Sequence, residues 1–314
     1  MSPTQQSWIL AATVGCVLLL ASTIGFTLKL AVARGAPNAV IDNLNARIRA
    51  WWVIVALCAL AFVTGRIGVI VLFALVSFLA LREYVTAVPT RKSHHAALIA
   101  SFYFVIPLQY WLILSDWYGL YSFLIPVFSI IAIPVLAAKS GDARNFLQGA
   151  AAIQWGLMIT VFLLSHAPML LLLRIPGYEG QNMFLLVFLV LVVQSSDVLQ
   201  YVWGKLAGRH RLAPHLSPSK TIEGLVGGIL SATLLGGSLW WITPFTPLQA
   251  ALASFVIAVT GFFGGLVLSA VKRDRGIKDW GTMIQGHGGM LDRVDSLCFS
   301  APVFFYILNC GWLP

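Results

Sequence analysis

Charge is scarce in this sequence of 314 residues: only 10% of positions are Asp, Glu, Lys or Arg, while 59% are apolar. Soluble domains carry about 25% charged residues, so a water-soluble globule of this size is excluded. Cysteine is scarce as well. Cys16, Cys58, Cys298 and Cys310 all fall in apolar stretches without C-x-x-C spacing, which excludes a zinc ribbon or a dithiol motif and leaves them as small core residues. No G-x-x-x-x-G-K-[ST] run occurs, which excludes a P-loop. The net charge of +9 is not gathered on any soluble surface, so nucleic acid is excluded as a partner.

What the chain does have is apolar length. About ten stretches long enough to cross a hydrocarbon core of roughly 30 Å recur from end to end. They lie near residues 8–30, 48–64, 67–82, 96–115, 119–138, 148–171, 183–203, 222–242, 248–270 and 296–312. The expected fold is all-α, a polytopic transmembrane helix bundle. Residues 1–180 are expected to supply spans one to six, and residues 181–314 the helices that carry the chemistry. The first run is too long, and too far from a positive start, for a cleaved signal peptide, so it reads as a retained span. The stretch from Arg34 to Ala50 reads as a short polar or interfacial linker.

Lys and Arg near span ends are held on the cytoplasmic side. Connections after the odd-numbered spans carry eighteen of the twenty basic residues, Arg66 and Arg174 being the exceptions. The expectation is therefore that both termini lie outside and that the odd-numbered connections face the cytoplasm.

Only eleven acidic residues exist, and four of them, Asp274, Asp279, Asp292 and Asp295, crowd the segment before the last span. If a helix begins near Met290, Asp292 and Asp295 project from one face three residues apart. Two carboxylates so placed repel, and a divalent cation relieves the repulsion. Mg²⁺ suits such a place because it accepts one or two carboxylates plus substrate phosphates. Gly286, Gly288 and Gly289 around His287 form a candidate anion nest, with Lys272, Arg273, Lys278 and Arg293 near it. A basic juxtamembrane anchor for lipid headgroups is the plainer alternative for those four. Asp197 lies alone inside an apolar span, where a carboxylate is kept by a cation or a basic partner. Ser217, Ser219, Lys220, Thr221 and Glu223 form a turn into the eighth span. Helix capping explains the hydroxyls, but a lysine at a helix N-terminus points to an anion.

The closing segment resembles the signature of the phosphatidate cytidylyltransferase family. Ser269, Val271, Lys272, Arg273, Lys278, Asp279, Gly281, Ile284, His287, Gly288, Gly289, Asp292, Arg293, Val294 and Asp295 fit its spacing, and Gln285 stands where a small turn residue or proline is usual. SPSKTIEG, with Asp197 and Gly204 upstream, resembles a second family motif, so the likeness covers roughly residues 190–305. Val198 and Gln200 depart from the housekeeping pattern, which marks a divergent subgroup and leaves room for an altered lipid substrate.

The resemblance implies transfer of CMP from CTP to phosphatidic acid in a bacterial-type inner membrane, giving CDP-diacylglycerol and pyrophosphate. It implies Mg²⁺, held by Asp279, Asp292 and Asp295 with Asp197 as a further ligand; a second cation and a homodimer are both compatible with it. Ser217, Ser219, Lys220, Thr221, Lys272, Arg273, Lys278, Gly288, Gly289 and Arg293 are the expected phosphate contacts. His287 is expected at a phosphate or the leaving group, with a merely structural place in its turn as the alternative. A CTP-dependent polyprenol kinase and, from another class, a membrane transporter stay open as rivals. A phosphatidyltransferase is disfavoured because no D-G-x-x-A-R run occurs.

Overall fold

An unpaired peptide group in hydrocarbon costs several kcal/mol, so a chain that crosses a bilayer closes its backbone bonds within each segment. The computed structural model describes residues 2–310 except 33, 35, 89, 91, 140, 142–145, 285 and 287. Among the described residues the apolar stretches form ten helices. These are α1 (Pro3–Ala31), α2 (Ala39–Val63), α3 (Gly65–Ala87), α4 (Lys92–Leu114), α5 (Tyr118–Ala138), α6 (Phe146–Leu172), α7 (Asn182–Leu206), α8 (Ile222–Ser238), α9 (Pro247–Asp274) and α10 (Leu291–Asn309). Eight of them are long and apolar enough to cross a membrane; α8 is shorter, and α10 begins with its charged residues. The all-α, ten-helix reading of the sequence holds, and the chain is an integral membrane protein.

Two details differ from the sequence reading. Residues 39–50 are not a linker: they open α2, because Asn38 caps the Val40 and Ile41 N–H groups and Asp42 pairs with Lys29 at 2.7 Å. The turn before α8 is an antiparallel hairpin, β1 (Arg211–Ala213) with β2 (Ser217–Thr221), in which Arg211 faces Thr221. The helix start argued from Met290 is found: α10 begins at Leu291, five residues before the apolar run, and Asp292 and Asp295 lie in its first turns. The four cysteines are free, as expected, but only Cys298 is a core residue: Cys58 is partly buried, and Cys16 and Cys310 are exposed on the outside of the bundle.

Cross-chain hydrogen bonds show which connections share an end of the bundle. At one end, Arg47 Nε donates to the Gly286 carbonyl at 3.0 Å, Arg273 Nε to the Leu216 carbonyl at 3.2 Å, and Glu83 accepts from Met290 and Leu291. At the other end, Gln6 Nε2 donates to the Trp241 carbonyl at 2.7 Å, Tyr178 to the Ile242 carbonyl, and Arg66 pairs with Asp116 at 2.7 Å. The connections after α1, α3, α7 and α9 therefore gather on one face, in the alternation that the basic residues led us to expect.

Helices α1 and α2 are peripheral, whereas α6 is the most enclosed of the long spans, with 72% of its apolar window buried. α7 packs on α8, α8 on α9 and α9 on α10. The α7–α8 contact is close enough that a Cβ on Gly228 would sit 2.3 Å from Gln200 Cγ and 2.7 Å from the Gln200 nitrogen, so only glycine fits there. One turn before Gln200, Asp197 meets the start of α10 through Ser296.

Candidate active site

The polar end of the bundle holds two adjoining groups of side chains. The first lies between α7, α9, α10 and the hairpin. Ser296 joins two carboxylates: its hydroxyl donates to Asp197 Oδ1 at 3.1 Å and its N–H to Asp295 Oδ1 at 2.8 Å. Gly265 on α9 forms the floor. A Cβ there would lie 3.3 Å from Lys220 Nζ, 3.5 Å from Ser296 Oγ and 3.7 Å from Asp295 Oδ2, so the three groups converge over a residue that presents no side chain. Lys220 Nζ also sits 4.6 Å from the centre of the Phe262 ring, a cation–π contact that anchors β2 on α9. Burial holds the Lys220 ammonium below its ordinary range, against the opposing pull of Asp295 and Asp197. Asp197 remains accessible while Asp295 and Lys220 are half-buried.

The second group is built on Asp292, which is only 8% exposed. Its Oδ1 receives Lys272 Nζ at 2.6 Å, and its Oδ2 accepts the Trp280 N–H at 2.8 Å and the Gly289 N–H at 3.0 Å. Asp292 is thus engaged by the protein itself, although it stands three residues from Asp295 on the same helix. The Gly288–Gly289 turn is closed by an Ile284 N–H bond to the Gly288 carbonyl, and Gly288 has φ of 83°, which favours glycine. Asp279 is exposed beside this turn, its Cβ 3.4 Å from where a Gly288 Cβ would be.

The remaining expected residues are more dispersed. Thr221 accepts the Gly224 N–H at 3.1 Å and caps α8, as the capping alternative had it. Ser217 is half-buried and Ser219 exposed on β2. Arg273 donates to the Leu216 and Ile277 carbonyls, each at 3.2 Å, and so pins the hairpin to the end of α9. Lys278 is exposed in the connection after α9. Arg293 is half-buried; its Nε is buried without a hydrogen-bond partner among the described residues. His287 and Gln285 lie outside the described residues.

Two participants were not foreseen from the sequence. Ser296 is a hydroxyl in an apolar helix, which gives little signal by itself. Glu83 follows Arg82 just past the expected third span, where an acid beside a base at a helix end draws no notice. It reaches from α3 to the start of α10, where Met290 N–H and Leu291 N–H each donate to it at 2.8 Å. The Gly289 amide, expected to face a phosphate, is therefore taken by Asp292, and the next two amides, of Met290 and Leu291, by Glu83.

The oxygen donors around Ser296 fit Mg²⁺ in kind. Among the described residues no three acidic, histidine or cysteine groups converge, but two carboxylates and a hydroxyl do come together at Ser296. Hard oxygen donors in that number suit a cation that takes its remaining ligands from phosphate and water.

Residues 45–311 match the Cytidylyltransferase family. Over 301 residues the chain is 40% identical to the uncharacterized protein YnbB of Escherichia coli (strain K12), covering 95% of this chain and 97% of that one. It is 39% identical over 185 residues to the phosphatidate cytidylyltransferase of Mycobacterium leprae (strain TN), covering 55% of this chain and 54% of that protein. With that of Aquifex aeolicus (strain VF5) it shares 36% identity over 156 residues, 49% of this chain and 58% of the other. The chain thus spans about half the length of these phosphatidate cytidylyltransferases. The family match takes in all of α3 to α10, and with them both clusters of charged side chains, so this chain belongs to the cytidylyltransferase family.

Proposed function

We propose that the protein transfers CMP from CTP to phosphatidic acid, or to a closely related lipid phosphate, and releases pyrophosphate. The observation that carries this reading is the meeting of Asp295, Ser296 and Lys220 over the bare surface of Gly265, with Asp197 joined to them through Ser296. A phosphate oxygen of the lipid attacks the α-phosphorus of CTP, the bond from that phosphorus to the α,β-bridging oxygen breaks, and pyrophosphate carries the charge away. Such a reaction needs positioning and charge neutralisation more than covalent help from the protein.

Mg²⁺ would be held by Asp197 and Asp295, and it supplies neutralisation of phosphate charge when bound. Lys220 is placed to grip a phosphate oxygen at the same point. Asp292 keeps Lys272 and the glycine turn in place, and Asp279 stands exposed at the rim with Lys278 and Arg293 as further phosphate contacts. Orientation follows from charge: the end that carries the basic residues faces the cytoplasm, where CTP is. Lipid enters sideways with its acyl chains in the bilayer and its phosphate at the level of the cluster.

The test is purified protein with CTP, Mg²⁺ and a series of acceptors: phosphatidic acid, an archaeal-type lipid phosphate and the free alcohol polyprenol. Pyrophosphate and a CDP-lipid are the expected products. CDP together with a phosphorylated alcohol would instead make the chain a lipid kinase.

A further inference from the structure

The N-terminus of α10 has no side-chain cap of its own, since Met290 precedes it in helical conformation. A helix start leaves several N–H donors without partners, and when it is enclosed in protein they must be satisfied from elsewhere. Here the acceptor comes from 207 residues away in sequence. Glu83, 7% exposed at the end of α3, accepts Met290 N–H through Oε1 and Leu291 N–H through Oε2, each at 2.8 Å.

Two glycines make room for it. A Cβ on Gly289 would lie 2.4 Å from Glu83 Oε2, and one on Gly281 would lie 3.0 Å from Glu83 Oε1. The neighbouring Tyr84 extends the contact, its ring centre 5.6 Å from that of Trp280. Trp280 in turn gives its N–H to Asp292. The end of α3 therefore grips the connection between α9 and α10 at two places, Trp280–Gly281 and Gly289–Met290, and the two amides that Glu83 holds immediately precede Asp292.

We infer that Glu83 is a positioning residue of the active site, fixing the first turn of α10 so that Asp292, Arg293 and Asp295 stand in register with Asp197 and Lys220. Both oxygens must accept, so a carboxylate is required. Glutamine has the same shape but would turn an N–H₂ toward one of the amides. The activity part of this inference rests on the cytidylyltransfer reading; the contact does not.

The test has two arms on the full-length protein in detergent. In the first, hydrogen exchange of the Met290 and Leu291 amides is followed in wild type and in Glu83→Gln, without substrate. Faster exchange confined to this turn is expected, and unchanged exchange overturns the inference. This arm stands even if no acceptor lipid is ever turned over.

In the second arm, kcat and KM for CTP are measured per folded protein. Glu83→Gln is expected to lower kcat about 10-fold to 100-fold, the usual size when a group supporting a ligand is removed, with KM changed less than kcat. Gly289→Ala is then made in wild type and in Glu83→Ala. In wild type the new methyl strikes the carboxylate and kcat falls; in Glu83→Ala it meets no carboxylate, so no further loss is expected. Wild-type kcat in Glu83→Gln, or the same loss from Gly289→Ala in both backgrounds, overturns the inference. If Glu83→Ala does not fold, Glu83→Gln alone decides.

Discussion

Lys272 Nζ lies 2.6 Å from Asp292 Oδ1, with the two side chains only 12% and 4% exposed, so the ion pair is enclosed between α9 and α10. Removing one partner of such a pair leaves the other charge buried alone, which costs about 3–5 kcal/mol. Lys272→Met is accordingly expected to lower thermal stability more than the double change Lys272→Met/Asp292→Asn. Thermal unfolding in detergent checks this, and equal losses would show that the pair is not coupled.

Asp292 itself is expected to be indispensable in a different way from Asp295. Asp292→Asn keeps an oxygen for the Trp280 and Gly289 amides but no longer pairs with Lys272. The protein should fold with lowered stability, since Lys272 is left without its partner, and product should be absent. Near-normal turnover with CTP and phosphatidic acid would remove Asp292 from the site.

Lys220 gives the pH dependence. Burial lowers its ionisation, so its charged form is lost at a lower pH than that of a solvated lysine. If that ammonium grips a phosphate, kcat/KM for CTP falls as pH rises through the lowered value. Lys220→Arg keeps its charge to about pH 12 and moves this alkaline limb upward. An alkaline limb that stays in place in Lys220→Arg would belong to another group.

Gly228 sets the distance between α7 and α8. A methyl group there would overlap Gln200, whose Cγ is 2.3 Å from the added carbon. Gly228→Ala is expected to cost about 1–3 kcal/mol by overpacking and to reduce turnover by shifting Asp197. Thermal unfolding together with the CTP assay would show both effects; a variant stable and active as wild type would mean that the helices part without moving the site.

The helices were legible because apolar length and the placement of Lys and Arg report directly on the bilayer, and each of the ten expected spans overlaps an observed helix. Asp197 was legible because a lone carboxylate in an apolar run is conspicuous. The partners of these groups were not. Whether the glycine turn offers its amides to a ligand or to the protein depends on what stands opposite, and Glu83 arrives there only through packing of α3 against α10. Likewise, the spacing of Asp292 and Asp295 put both on one helix face, but it could not say that Lys272 would claim the first while Ser296 tied the second to Asp197. The residues at 39–50 look like a linker because they are polar, yet their Asn38 cap and the Lys29–Asp42 pair make them helix.

The most direct measurement is the fate of CTP labelled on its α-phosphate, in wild type, Asp197→Asn and Asp295→Asn, with Mg²⁺ and phosphatidic acid. The label should pass into lipid in wild type, at a rate reduced on the order of 10²–10³-fold in each variant, as when a group aimed at developing charge is lost. Label that stays in water-soluble nucleotide, or variants that match wild type, would contradict cytidylyl transfer at this pair of carboxylates.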